Sequence, residues 1–355
     1  MVRFANKSIF VTDLDIQENI SLAPYTTMKI GGRARFFVKA LNENDVVEAL
    51  RFAVDRGLEV FVLGGGSNVL ISDNGFDGLV LRIAMQGIES YEKQDSVFLT
   101  VQAGEDWERF VEYCVSRGLA GIECLSGIPG SVGGTPVQNV GAYGQEVSQS
   151  IVSVKCLDRQ TMKIVDLDNN ACGFSYRKSI FNSDKFGRFI VFGVTYELKR
   201  NGEPKIEYKD LREHFAGEKP TLSEVRDAVL AIRRSKSMVI DPNDPDSRSA
   251  GSFFKNPIVP LEMYEAIRST FPAAPSFAYD DRSVKVPAAW LIEKAGFSKG
   301  FALGNAGISS KHTLAIINRK DASSAEILAL KDKIQAAVRD KFGIELRPEP
   351  VFVGF

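Results

Sequence analysis

The sequence predicts an α+β chain with mixed sheets, and three observations carry that reading. Strand-like and helical patterns alternate at the start and partly repeat. A later stretch rich in Asp, Pro and Ser separates that part from the rest, and beyond it a long helix signal stands among short strand signals. At 355 residues the chain is too long for one ordinary core, so two or three domains are expected.

Residues 33–40 (RARFFVKA) read as a strand. Residues 44–56 carry Val46, Val47, Leu50, Ala53 and Val54 at helical spacing, with Gly57 as a C-terminal stop. The β-branched and aromatic run 59–63 (EVFVL) is a strand that leads straight into GGGSN at 64–68, and 79–83 is another. The unit then recurs in part: 96–102 is strand-like, and 106–117 is a helix with Phe110, Val111, Cys114 and Val115 on one side, ended by Gly118. Residues 126–144 (SGIPGSVGGTPVQNVGAYG) are dense in glycine with little periodicity, and structureless stretches of that length inside a domain usually have a function. Residues 151–157, 162–166 and 189–198 are strand-like.

A helix at 221–236 opens on the capping box Thr221-x-x-Glu224, and 241–249 (DPNDPDSRS) reads as a boundary. Short helices near 260–270 and 287–295 and a strand at 313–318 follow. A long helix at 324–341, opened by Ser323-x-x-Glu326, carries Ile327, Leu330, Ile334 and Val338 on one face, and a strand is expected at 344–353.

Forty-four Lys plus Arg against 45 Asp plus Glu leave no basic field for nucleic acid or an anionic membrane, so a phosphate would have to be met by a local site. Cys114, Cys124, Cys156 and Cys172 form no CxxC pair, so buried thiols are expected rather than disulfides or structural zinc. With only His214 and His312, a Ser-His-Asp or poly-His metal site is disfavoured, and no metal is expected. The first 20 residues contain Lys7, Asp13, Asp15 and Glu18 and lack an apolar core, which argues against a secretion signal. The expected address is the cytoplasm.

Gly64-Gly65-Gly66-Ser67-Asn68 follows a buried-looking strand. Glycines there let a backbone approach a ligand and turn successive N–H groups toward an anion, although the run could equally be a tight turn. It is neither GxGxxG nor a P-loop, since no GKS/T follows. In the second loop Gly127, Gly130, Gly133, Gly134, Gly141 and Gly144 alternate with Ser131, Thr135, Gln138 and Asn139. A flexible connection is the bland reading of that loop. Two such loops, each tied to a strand–helix unit, suit a large phosphate-bearing cofactor better.

Several segments together resemble one family. They are Thr26 to Gly32 (TTMKIGG), GGGSNVLI at 64–71, IPGSVGGTPVQNVGAYG at 128–144, SYRKSIF at 175–181, AGSFFKNP at 250–257, SVKVPAAWLIEKAG at 283–296 and RPEP at 347–350. In this order, over nearly the whole chain, they are similar to UDP-N-acetylenolpyruvoylglucosamine reductases, flavoenzymes of peptidoglycan precursor synthesis. The resemblance implies an FAD-binding fold of the vanillyl-alcohol-oxidase type followed by a C-terminal α+β substrate domain. It divides the chain into 1–82 closed by 343–355, a second FAD-binding part at 83–240, and a substrate domain at 241–342.

The resemblance also implies non-covalent FAD, with no His or Cys in the glycine loops to link it, and NADPH as hydride donor. The implied partner is UDP-N-acetylglucosamine enolpyruvate, with no nucleic acid or membrane partner and a monomeric chain. The cofactor would be held by Gly64, Gly65, Gly66, Ser67 and Asn68 in the first loop. In the second it would be held by Ile128, Pro129, Gly130, Gly133, Gly134, Thr135, Gln138, Asn139, Gly141, Ala142 and Tyr143.

Arg177 would hold the substrate carboxylate, Glu349 would assist as a protonated donor, and Ser252 would deliver a proton to carbon. Tyr208, in YKDL at 208–211, would close over the nucleotide sugar as in the longer subtype. Lys236 and Asn256 would meet its diphosphate, and Lys285 and His312 would lie near the substrate. Taken singly, each has a bland alternative: a paired arginine, a turn serine, exposed loop or surface groups. Two departures stand out: Val351 where some relatives carry arginine, and Phe277 where some carry tyrosine, with Tyr279 two residues on. An oxidase of the same flavin fold, or a UDP-sugar sensor without redox activity, are the rival readings.

Overall fold

A computed structural model of the chain describes residues 14–355. The leader reading that used Lys7 and Asp13, and the start of the first domain, lie outside the described residues. The first sheet runs in the order Ile16–Ser21, Arg33–Ala40, Phe76–Ile83, Val60–Leu63. Its last three strands are parallel, and Ile16–Ser21 adds antiparallel at the edge. Helix α1 (Glu43–Asp55) crosses between two of the parallel strands. Asn42 starts it with a complete capping box, and Val46, Ala49, Leu50 and Ala53 face the core.

The second sheet is antiparallel, in the order Lys163–Asp168, Ile151–Asp158, Phe189–Arg200, Ser96–Gln102, Ile88–Lys93. Helix α2 (Trp107–Val115), capped by Asp106, lays Trp107, Phe110, Val111 and Cys114 on it, and these share one core with α1 and the first sheet. Helices α3 (Lys209–Phe215) and α4 (Leu222–Ser235) form a small separate cluster in which Leu211 and Phe215 meet Val225, Ala228 and Val229.

The C-terminal part has two small antiparallel sheets and helices α5 (Leu261–Thr270), α6 (Ala288–Lys294) and α7 (Ser324–Phe342). Ile327, Leu330, Ile334 and Val338 of α7 are fully buried, and Gly343 in a left-handed conformation stops the helix. The N-terminus of α7 is held from outside its own part of the chain. Asp73 accepts hydrogen bonds from Ser324 N–H and Oγ–H at 2.9 and 2.8 Å.

The expected helices are present with ends moved by a residue or two. Two strands are shorter than expected. The run 313–318 pairs only over Ile316–Asn318, and 344–353 only over Val351–Val353, which lies parallel to Val69–Ile71. Pro348 and Pro350 lack the N–H a ladder needs. Arg347 O before them and Glu349 N–H between them bond instead to the backbone of Lys255 and Phe253, at 2.9 Å each. Ile16–Ser21, Ile88–Lys93 and α3 are additional elements. All four cysteines are free and buried, and burial pushes the Cys172 thiol up to about 12.

Candidate active site

The strand Val60–Leu63 ends in Gly64–Asn68, and this turn meets the 128–144 loop backbone to backbone. A Cβ on Gly65 would lie 2.6 Å from Gly130 Cα, and one on Gly66 (φ +66°) would lie 1.8 Å from Tyr25 O. Asn68 clips three segments together: its amide donates to Gln138 Oε1 at 2.8 Å and to Glu349 O at 3.2 Å. Both loops floor a cleft of about 1590 Å³. Ser131, between Gly130 and Val132, is buried on this floor with its hydroxyl unpartnered among the described residues. An orphaned hydroxyl on a glycine cradle fits a phosphate-bearing cofactor. Ser131 was not among the expected ligands, although a serine inside a glycine loop is itself the signal.

The expected residues line this one cleft, apart from Asn139. Asn139 is 1% exposed and satisfied internally. Its amide donates to Glu146 Oε2 at 2.9 Å and to Ser175 O at 3.1 Å, and its Oδ1 accepts from Ser148 N–H at 3.1 Å. These bonds tie it to the loop and the neighbouring turn. Thr135 reaches the cleft, but its hydroxyl is spent on Val132 O and Tyr196 OH, each at 2.8 Å.

Arg177 sits on the tight turn Ser175–Lys178 with φ +53°, a left-handed geometry that non-glycine residues adopt only when context demands it. Its Nη2 donates to Gly141 O at 2.7 Å, and its Nε stands 3.5 Å from Glu349 Oε1. Glu349 reaches this point because the backbone pairing of 347–349 with 253–255 brings RPEP beside AGSFF. Ser252, next to Phe253 in that pairing, lines the same cleft. Burial pushes the Glu349 carboxyl up, while Arg177 and then Lys255 pull it back without cancelling the rise.

The Lys285 ammonium lies 4.3 Å from the Tyr176 ring centre. Burial, then the Arg177 charge, lowers its pKa. Asn256 Oδ1 accepts from Ala288 N–H at 2.9 Å and so caps α6. Lys236, closing α4, reaches Asp210 at 3.2 Å. Tyr208 starts α3, 38% exposed, with its ring 5.3 Å from that of Tyr143 at 85°. The Tyr143 hydroxyl is pushed up to about 12, chiefly by burial and against the nearby Arg233 cation. Arg233 is buried on the cleft wall with Nη2 on Met238 O at 2.7 Å and its Nε unpartnered among the described residues. Its place inside an ordinary helical stretch concealed it. Val351, at the position where the resemblance has arginine in some relatives, bonds through its N–H to Asn68 O at 3.0 Å, and Phe277, half exposed, lines the cleft.

Among the described residues no group of three His, Cys, Asp or Glu is placed to hold a metal ion, and no helix is long and apolar enough to cross a membrane. His312 is held neutral: burial, then the Lys236 charge, lowers its pKa to about 4 from 6.5. A depressed histidine stabilises the fold above about pH 6.5, and that contribution is lost as pH falls toward 4. Its size is about 1.4 kcal/mol per unit of separation. In urea titrations from pH 7 to 4.5, His312→Gln should therefore lose less stability than the unsubstituted protein. Parallel slopes would remove His312 as the cause.

A family profile described as "FAD binding domain" matches residues 34–168. One described as "UDP-N-acetylenolpyruvoylglucosamine reductase, C-terminal domain" matches 242–353. The UDP-N-acetylenolpyruvoylglucosamine reductase of Thermobifida fusca is 43% identical over 348 residues, covering 95% of this chain and 97% of that protein. The enzyme of the same name from Pseudomonas aeruginosa is 41% identical over 341 residues, covering 95% and 98%. Among solved structures, the UDP-N-acetylenolpyruvylglucosamine reductase of Thermus caldophilus superposes with a TM-score of 0.67 over 96% of this chain and 99% of that one. At 24% identity that likeness bears on the fold alone. The architecture is the expected one, an FAD-binding fold of the vanillyl-alcohol-oxidase type followed by an α+β domain.

Proposed function

The chain belongs to the UDP-N-acetylenolpyruvoylglucosamine reductase family, and from that membership we infer an FAD- and NADPH-dependent oxidoreductase. It reduces UDP-N-acetylglucosamine enolpyruvate to UDP-N-acetylmuramate in peptidoglycan precursor synthesis. The observation that carries this reading is that Arg177 and Glu349, 3.5 Å apart, line with Ser252 one cleft floored by two glycine loops. Bound FAD supplies the hydride relay from NADPH to the vinyl methylene carbon.

The protein's own part is to manage the charge that hydride delivery leaves behind. That charge spreads from the neighbouring carbon into the carboxylate as an enediolate. Arg177, pinned by Gly141, offers a fixed cation there, and Glu349 beside it, whose pKa burial raises, would in its protonated form offer a hydrogen-bond donor that an ionised carboxyl could not. Ser252 gives its hydroxyl proton to the carbon, a base strong enough to take it. Lys236 and Asn256 would meet the nucleotide diphosphate and Tyr208 would close over the nucleotide sugar, with Lys285 and His312 near the substrate. Ser131 joins the glycine N–H groups on the FAD diphosphate, whereas Asn139 only shapes the loop. The three-part division at 1–82 with 343–355, 83–240 and 241–342, a monomeric state, a cytoplasmic location and closure of the Tyr208 segment belong to the same proposal.

Anaerobic stopped-flow absorbance near the flavin band tests it. NADPH should bleach the band, and UDP-N-acetylglucosamine enolpyruvate added next should restore it. Bleaching without recovery would keep the flavin site and reject the substrate. A protein that purifies without flavin and takes up none would reject the redox reading.

A further inference from the structure

The stretch that leads into Tyr208 has one main-chain anchor. Between Glu203 and Glu207 among the described residues, only Lys205 makes main-chain hydrogen bonds. Its N–H donates to Glu123 Oε1 at 3.0 Å, and its C=O accepts from Cys124 Sγ at 3.1 Å. Glu123 is 0% exposed. It also accepts from Gln145 Nε2 at 2.6 Å on the same oxygen, and from Gly121 N–H at 2.7 Å on the other. Gln145 is buried too, and its Oε1 accepts from Cys124 N–H at 2.8 Å. The carboxylate is thus satisfied without any cation, through three N–H donors from three separate segments.

Gln145 belongs to the hairpin in which Gly141–Ala142 pairs with Gln145–Glu146, and Ala142 and Tyr143 of that hairpin line the cofactor cleft. The tip residue Tyr143 touches the Tyr208 ring edge-on. The hairpin and the Tyr208 segment are therefore joined twice, once at the rings and once at the Glu123 carboxylate. Behind the carboxylate lies a second cavity of about 510 Å³, lined also by Gln149 and Lys199. With open space on that side, the Glu123 network holds the backbone of the 203–207 stretch, while Ile206 and, beyond Tyr208, Leu211 and Phe215 pack into the α3–α4 cluster.

We propose that Glu123 is a positioning residue for the reaction: its carboxylate locks the Tyr208 segment to the cofactor-lining hairpin, so that Tyr208 is presented to the nucleotide sugar in one place. This rests on the reading that Tyr208 contacts that substrate. In Glu123→Gln the amide meets at least one of the converging N–H groups with its own N–H, and the lock loosens. Gln145→Met, which removes one donor and keeps the volume, should act in the same direction.

The test is a double-mutant cycle on KM for UDP-N-acetylglucosamine enolpyruvate, using holoenzyme with matched flavin content. Tyr208→Ala should raise KM. Glu123→Gln should raise it about tenfold, with flavin reduction by NADPH unchanged. Added to Tyr208→Ala, Glu123→Gln should raise KM little further, because both changes act through one ring. Two results would overturn the inference while leaving Tyr208 in its role: full additivity of the two changes, or no effect of Glu123→Gln and Gln145→Met when Tyr208→Ala has one. No effect of Tyr208→Ala would instead reject the reading on which the proposal rests.

Discussion

Replacing Ser252 with alanine should leave reduction of the flavin by NADPH nearly intact and slow its reoxidation by the enolpyruvyl sugar by a factor of about 100 to 10,000. The split is expected because the two half-reactions ask different things of the protein. Reduction by NADPH needs the cofactor held on the glycine loops, where Ser252 has no part. Reduction of the substrate ends in a carbon that must gain a proton, and a hydroxyl in the cleft shared with Arg177 and Glu349 is suited to give it. The substitution removes one oxygen from a half-buried residue, so flavin content and melting temperature should hold. Single-turnover absorbance separates the halves directly. If both slowed together, Ser252 would be a structural residue.

Replacing Arg177 with alanine should be nearly as costly. Removing a fixed donor and cation from a developing oxyanion typically costs a factor of about 100 to 1000 in kcat. Arg177→Lys should recover only part of this, since an ammonium cannot bond Gly141 O and face Glu349 in the same planar way. The pH profile gives a second readout. Burial raises the Glu349 pKa, and Arg177 is the group that most restrains the rise. The protonated form is the donor, so the substrate half-reaction should fall as pH climbs through that raised pKa. Without the Arg177 charge the pKa rises further, and the alkaline limb should move to higher pH. A limb that stays in place, or moves down, would show that Glu349 is not the titrating group.

Much of this site is legible in the amino-acid order because its requirements are local. A backbone that must approach a diphosphate needs glycine where the chain turns, so 64–68 and 128–144 stand out without any neighbour known. The clash a Cβ would make at Gly65 and Gly66 supplies the reason. The capped helices are equally plain, since Thr221 with Glu224 and Ser323 with Glu326 satisfy their own helix ends. The edge strands Ile16–Ser21 and Ile88–Lys93 escape notice for the complementary reason. Most of their side chains face water, and a strand with little buried on either face carries no period-2 signal.

By itself, then, the sequence determined the two glycine-rich turns, the helices other than α3, and which residue types were on hand for the chemistry. Only the tertiary structure decided which of them meet. Asn139 and Gln138 are adjacent in a loop of donors, yet one is consumed by Glu146, Ser148 and Ser175 while the other faces the cleft. Glu349 comes to Asn68 across 281 positions, and beside Arg177, because two prolines deny RPEP a full ladder and leave its backbone to pair with AGSFF. Glu123, which carries no motif of its own, becomes the anchor of the Tyr208 segment only because N–H groups of Gln145 and Lys205, 22 and 82 positions away, join that of nearby Gly121 on it. Local conformational demands leave a mark in the order of residues. The pairing of a polar group with a distant partner leaves none, because many side chains could make the same bond and the fold alone selects which one does.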